Sequence, residues 1–281
     1  MESSSPPGRH AVALASLRTP QWLHFSVLPL AALGSDDLLA PPSSWLRVLV
    51  GCLIAAGCLG FAYGINAVAE RHSDRSAAKN PLVAAPEQAT HATMLALVVG
   101  LLALGLAALL GTWALLAAAL SLICGATYSV GVAGKHVPVL GLVLNTGIFA
   151  PLTALLLRPD LIPPSWPHEL AVFVLLLIQN QLIHELADYD EDRAAGARTT
   201  ARLLRRRGTI RVAVLAGFAV PLASIALAPS AGQALLSSAI AAVATLIAFE
   251  ARRDPARSRQ VHRAVAFAGG ALLWLFARVV G

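Results

Sequence analysis

Oxygen-bearing side chains recur at helical spacing in two short segments of this sequence. The first reads Asn66-x-x-x-Glu70-x-x-x-Asp74 and the second Glu185-x-x-Asp188-x-x-x-Asp192. Residues three or four apart share a helix face, so each segment predicts one stripe of hard oxygen donors, with Asp190 and Glu191 turned elsewhere. Each stripe closes an apolar run that reads as a helix. At such an end the dipole is already negative, and like charges four apart repel. A cation has to offset that charge. Arg71, Arg75, Arg193 and Arg198 could supply it as solvated ion pairs, which is the plain reading of either segment alone. Two such segments favour Mg²⁺, which takes a few carboxylates together with water and phosphate oxygens. Asn66, Glu70, Asp74, Glu185, Asp188 and Asp192 are therefore the candidate metal ligands.

Further polar groups lie close by. Gln179, Asn180, Gln181 and His184 precede the second acidic segment. Polar groups inside an apolar run must face other helices or a watery cavity, so they line a site or hold helices together. Only two lysines occur, Lys79 and Lys135, against 19 arginines, and each lies just past an apolar run. An ammonium is a good point-charge partner for a diphosphate.

The elements that must position these groups follow from composition. Of 281 residues 57% are hydrophobic and 13% charged, with a mean hydropathy of +0.70. Such a chain needs lipid around most of its surface. Unpaired backbone groups do not survive in hydrocarbon, so its long Ala/Leu/Val runs must be helices. Runs near 21–40, 45–66, 92–111, 113–131, 138–156, 169–186, 209–227, 231–249 and 262–280 predict nine spans in one membrane domain over 1–281. Pro29 interrupts the first of them. Residues 1–20 read as a short cytoplasmic tail, without the basic-apolar-small pattern of a cleaved signal.

With the N-terminus inside, 18 of the 21 basic residues fall on the cytoplasmic face, and only Arg47, Arg158 and Arg278 fall outside. That asymmetry predicts a multi-pass protein of the cytoplasmic membrane. It also accounts for the pI near 9.9, which is no sign of a nucleic-acid partner. Asp36, Asp37, Asp160 and Glu169 are expected in outer loops, whereas both acidic stripes end helices that descend to the inner face and can serve one vestibule. Cys52, Cys58 and Cys124 lie in apolar runs and read as packing residues.

Span count, orientation and motif placement together resemble the UbiA family of intramembrane prenyltransferases. Its members carry N-x-x-x-D-x-x-x-D after the second helix and D-x-x-x-D after the sixth of nine. Asn66, Glu70 and Asp74, followed by Arg75 and Lys79-Asn80-Pro81-Leu82, resemble the first motif and its basic tail, with Glu70 where the family usually has Asp. Asp188 and Asp192, in the run from His184 to Gly196, resemble the second. Tyr128-Ser129 with Lys135 is similar to the family's tyrosine-to-lysine segment, and Arg18 with Trp22 to the stretch before its first helix.

The resemblance implies an all-α fold of nine transmembrane helices around a central cavity. It also implies Mg²⁺-dependent transfer of an isoprenyl group from a prenyl diphosphate to an aromatic or lipid-like acceptor, in quinone, pigment or lipid biosynthesis. Asp74, Asp188, Asp192, Lys79, Lys135 and Tyr128 would then be catalytic, and Arg75, Arg18, His184 and Arg193 would bind substrate. Phosphoribosyl transfer to a polyprenyl phosphate and cyclisation of a prenyl chain use the same head-group logic and stay open. A transporter is the rival of another class, disfavoured because the ionisable residues gather at one face rather than at mid-bilayer.

Overall fold

The computed structural model describes residues 9–38, 42–74, 76–129 and 137–279. Its regular elements there are all helical: α1 (Arg9–Ser16), α2 (Ser35–Leu38), α3 (Pro42–Glu70), α4 (Ala89–Leu110), α5 (Thr112–Ser129), α6 (Leu140–Phe149), α7 (Trp166–Ala187), α8 (Tyr189–Ala194), α9 (Thr200–Leu227), α10 (Ala231–Glu250) and α11 (Pro255–Val279). Six of them, α3, α4, α5, α7, α9 and α10, are long and apolar enough to cross a membrane. Leu109, Leu222, Ile225 and Leu235 stand exposed on these helices, as lipid-facing side chains would.

Six such helices among the described residues do not confirm the expected nine spans, and proline breaks two of the other three runs. The described part of 21–40 is not one helix: Leu23–Ala32 is a 3₁₀ helix containing Pro29, followed by the four residues of α2. A proline inside a helix lacks a donor and clashes with the preceding turn. In 138–156, α6 gives way to a 3₁₀ turn at Ala150–Ala154 that has Pro151 in its first positions. At 1.5 Å per residue α6 covers only about 15 Å. Helix α11 has ample length, but it begins at Pro255 and takes in Arg257, Arg259 and Arg263, so it is less apolar than the run at 262–280 suggested. Helix α9 likewise starts nine residues before the expected 209, with non-helical backbone at Arg205 (φ 60°, ψ 163°).

The chain falls into two compact units, the first made of residues 1–29, 45–133 and 147–156, the second of 30–44, 134–146 and 157–281. In the first unit small residues let helices approach closely. A Cβ on Gly57 or Gly64 of α3 would stand 2.8 Å or 3.0 Å from the Cβ of Ala103 or Ala96 on α4, and one on Gly125 of α5 would stand 2.8 Å from that of Ala62. Ala92, Ala96, Gly100, Ala103 and Ala107 form the buried stripe of α4 at spacings of three and four. Val12, Ala67, Leu82 and Ala92 make a small core where α1 and the Pro81–Val83 turn meet the C-terminal end of α3.

In the second unit α7 packs along α9 and α11, and α10 packs on α9 and α11. Val172, Leu176, Val220, Ile240, Ala241, Ala244 and Leu273 fill one core layer, and Leu182, Ile183, Leu186, Ala213, Ala248 and Ala251 another. Hydrogen bonds cross these layers. His168 Nε2 lies 3.1 Å from Ser224 Oγ and 3.3 Å from Ser237 Oγ. Gln179 Nε2 donates to the Ala213 carbonyl at 2.9 Å, and its Oε1 lies 2.7 Å from His262 Nε2. Gly217 makes room for this group, since a Cβ there would fall 1.9 Å from Thr245 Oγ1 and 2.7 Å from Gln179 Nε2.

Glu169 and Arg278 are not separate outer-loop charges. Both are buried and form an ion pair between α7 and α11. Arg278 also donates to the carbonyls of Ala31 and Leu33 at 2.8 Å and to Ser165 Oγ at 3.1 Å. A planar five-donor fork can satisfy all of these acceptors at once, and lysine could not.

Candidate functional site

The first motif is built on the last turn of α3. Asn66 and Glu70 are one turn apart, and Asn66 Nδ2 donates to Glu70 Oε2 at 2.6 Å. The helix ends at Glu70, yet Asp74 N still donates to the Glu70 carbonyl at 2.8 Å, which keeps Asp74 one turn further on. The next segment folds back through Asn80, a fully buried residue. Its Nδ2 donates to the Ala67 carbonyl at 2.8 Å and to Asp74 Oδ2 at 3.1 Å, while its Oδ1 accepts from Leu82 N at 3.1 Å. One amide thus satisfies a carbonyl left over at the helix end and fixes a carboxylate.

Two cations reach the carboxylates of this motif. Lys79 Nζ lies 3.4 Å from Asp74 Oδ1, and Arg18 Nη1 lies 3.7 Å from Glu70 Oε2. Arg18 has left-handed backbone (φ 55°, ψ 36°), and Trp22 Nε1 ties the same turn down by donating to the Leu17 carbonyl at 2.6 Å. Arg71 instead donates to the Val68 carbonyl at 2.7 Å. Asn66 Oδ1 is buried with no hydrogen-bond partner among the described residues. Tyr128 is half-buried in the last turn of α5, and Arg75 and Lys135 lie outside the described residues.

The second motif straddles a break. Helix α7 ends at Ala187, Asp188 has non-helical backbone, and α8 carries Asp190, Glu191 and Asp192. The expected stripe is therefore interrupted, although Asp192 N donates to the Asp188 carbonyl at 2.9 Å. His184 Nδ1 lies 3.3 Å from Asp188 Oδ2, one turn along. Glu185 is buried and turns away from this pair: its Oε2 accepts from Ala201 N at 2.9 Å, at the start of α9. A carboxylate there satisfies a leftover helix donor and complements the positive end of the dipole.

The loop from α8 to α9 turns at Gly196 (φ +73°), a conformation that favours glycine. Arg202 holds it by donating to the Ala197 carbonyl. Asp190 faces outward and pairs with Arg206 at 2.6 Å, whose guanidinium lies 4.8 Å from the Tyr189 ring centre. Arg193 is exposed at the end of α8.

Among the described residues, no three His, Cys, Asp or Glu side chains stand together as a ready metal cage. The donors present are hard oxygens in small sets, a pattern suited to an ion that completes its shell with water and phosphate. The supporting role of Asn80 escaped the reading from sequence. Asn80 could have been found from its Asn-Pro step, a turn signal next to a helix end. Asn180 has its Oδ1 buried without a partner among the described residues, and the spacing Asn180-x-x-x-His184-x-x-x-Asp188 repeats that of Asn66, Glu70 and Asp74.

Comparison with known proteins bears on both motifs. The model of the UbiA prenyltransferase family matches residues 20–276, a stretch that contains both. A UbiA homologue from Archaeoglobus fulgidus, solved with DMAPP and Mg²⁺, is 20% identical, with a TM-score of 0.75 over 96% of this chain and 100% of that one. An apo UbiA homologue from Aeropyrum pernix K1 is 20% identical, with a TM-score of 0.64 over 90% and 97% of the two chains. A structure reported for digeranylgeranylglyceryl phosphate synthase is 12% identical, with a TM-score of 0.70 over 96% and 99%. No curated protein matches in sequence.

Proposed function

The chain belongs to the UbiA prenyltransferase family, and from that premise we propose that it moves an isoprenyl group from a prenyl diphosphate to an aromatic or lipid-like acceptor. The observation that carries this reading is that both oxygen-rich motifs fall inside the matched segment, 66–74 and 185–192 within 20–276. Structural relatives solved with DMAPP or GPP and Mg²⁺ support the donor class and the ion. The protein is read as a multi-pass protein of the cytoplasmic membrane, a single domain with its N-terminus inside.

The substrate's chemistry fits such a protein. A prenyl tail gains about 0.8 kcal/mol per buried CH₂, while the diphosphate must stay near the interface. Asn66 and Asp74 of the first motif, and Asp188 and Asp192 of the second, would hold Mg²⁺. Asn66 Oδ1, buried with no hydrogen-bond partner among the described residues, is the feature that fits such an ion. Mg²⁺ supplies neutralisation of the charge that grows on the diphosphate as the C–O bond breaks.

The chain's own groups do the rest. Lys79 and Arg18, with Arg75, Lys135, His184 and Arg193, bind and orient the diphosphate oxygens. Apolar helix walls keep water from the allylic cation until the acceptor attacks it. Tyr128 would orient the diphosphate or face the cation.

The test measures diphosphate release from a panel of isoprenoid donors, with and without Mg²⁺, in wild type and Asp188→Ala. Metal-dependent release that disappears in the variant is the expected result. No turnover with any donor, or full activity in Asp188→Ala, would overturn the reading. Mass spectrometry of the products separates intermolecular transfer from cyclisation and from phosphoribosyl chemistry.

A further inference from the structure

We propose that Glu70 acts as a positioning residue: it fixes the Asn66 amide so that Oδ1 is presented to the cation, and it seats the Arg18 guanidinium for the diphosphate. The inference rests on the function proposed above and assigns Glu70 a different task from Asp74.

Hydrogen-bond chemistry carries the first half. An ionised carboxylate can only accept, so the Asn66 group that meets Glu70 Oε2 at 2.6 Å must be the NH₂. The amide oxygen is thereby turned the other way, and it is buried with no hydrogen-bond partner among the described residues. Flipping the amide would set oxygen against carboxylate oxygen. Glu70 therefore holds an acceptor ready for a ligand that is absent from the protein's own hydrogen bonding, and a cation or its bound water meets that description.

Charge carries the second half. The same Glu70 oxygen lies 3.7 Å from Arg18 Nη1, both side chains being largely buried. The left-handed backbone at Arg18, secured by the Trp22 to Leu17 bond, lays the guanidinium there. A divalent ion on that oxygen would sit against the guanidinium and would displace the Asn66 donor. Asp74 differs, because its Oδ1 faces the flexible, more exposed ammonium of Lys79 at 3.4 Å, while Asn80 steadies its Oδ2. Asp74 can exchange an ammonium for a metal without dismantling its support.

Glu70→Gln separates the two roles, since glutamine can still accept the Asn66 amide through its oxygen while losing the charge. The full-length protein in nanodiscs is titrated with Mn²⁺ in the presence of inorganic pyrophosphate, and free Mn²⁺ is read by electron paramagnetic resonance. Glu70→Gln should keep the wild-type Mn²⁺ stoichiometry with affinity within about threefold, whereas Glu70→Ala, which frees the amide, should weaken binding about tenfold.

Asp74→Asn should lose a Mn²⁺. In turnover, Glu70→Gln should raise KM for the prenyl diphosphate and leave kcat near wild type, as should Arg18→Gln. A Glu70→Gln protein that loses Mn²⁺ as Asp74→Asn does would overturn this inference alone. Wild type that binds no Mn²⁺ with pyrophosphate would overturn the proposed function as well.

Discussion

Replacing Arg278 by Met should destabilise the second unit more than any surface arginine change. The guanidinium is buried and serves four acceptors: the Glu169 carboxylate, the Ala31 and Leu33 carbonyls, and Ser165 Oγ. Methionine matches its bulk but leaves Glu169, itself buried, as an uncompensated charge. Breaking one side of a buried pair costs about 3–5 kcal/mol. Removing both charges in Arg278→Met with Glu169→Met should leave only the loss of the carbonyl bonds, about 1–2 kcal/mol. The double variant is therefore expected to be more stable than the single one by about 2–3 kcal/mol. Unfolding in mixed micelles, followed by circular dichroism as SDS is raised, reads this directly. Should Arg278→Met unfold with wild type, or the double variant prove no better than the single, the pair does not anchor α11 to α7 as argued.

Gly217→Ala should push Gln179 off its bonds to Ala213 and His262, because the new Cβ would land 1.9 Å from Thr245 Oγ1 and 2.7 Å from Gln179 Nε2. Overpacking of this kind costs about 1–3 kcal/mol, seen as a lower thermal midpoint in detergent. Asn80→Ala leaves the Ala67 carbonyl and Asp74 Oδ2 without this partner. A loss of about 1–3 kcal/mol in stability is expected, together with a raised KM for the diphosphate. Glu185→Ala removes the acceptor at Ala201 N, so trypsin should cut faster at Arg198 and Arg202, with Glu185→Gln intermediate. Cleavage at the wild-type rate in both would show that Glu185 does not secure the start of α9.

Residue chemistry and spacing, read along the chain, settle the class of this protein and the address of its motifs. In hydrocarbon an apolar run has to satisfy its backbone internally, so helix is the sole outcome open to it. That is why 169–186 and 231–249 lie within α7 and α10 almost end to end. Proline punctuation was equally visible, at Pro29 and Pro151, where 3₁₀ helix takes the place of α-helix in 21–40 and 138–156. The oxygen donors were legible too, because helical periodicity places residues four apart on one face.

Periodicity says nothing about which donor meets which acceptor across distant sequence. Only tertiary packing turned Glu185 from the Asp188 stripe to the end of α9, brought Arg18 rather than Arg71 to Glu70, and joined Arg278 to Glu169 across 109 positions. The reason is physical. A buried charge takes whichever partner the surrounding helices bring within hydrogen-bond reach, and that choice is made by close packing of whole helices, not by neighbours along the chain.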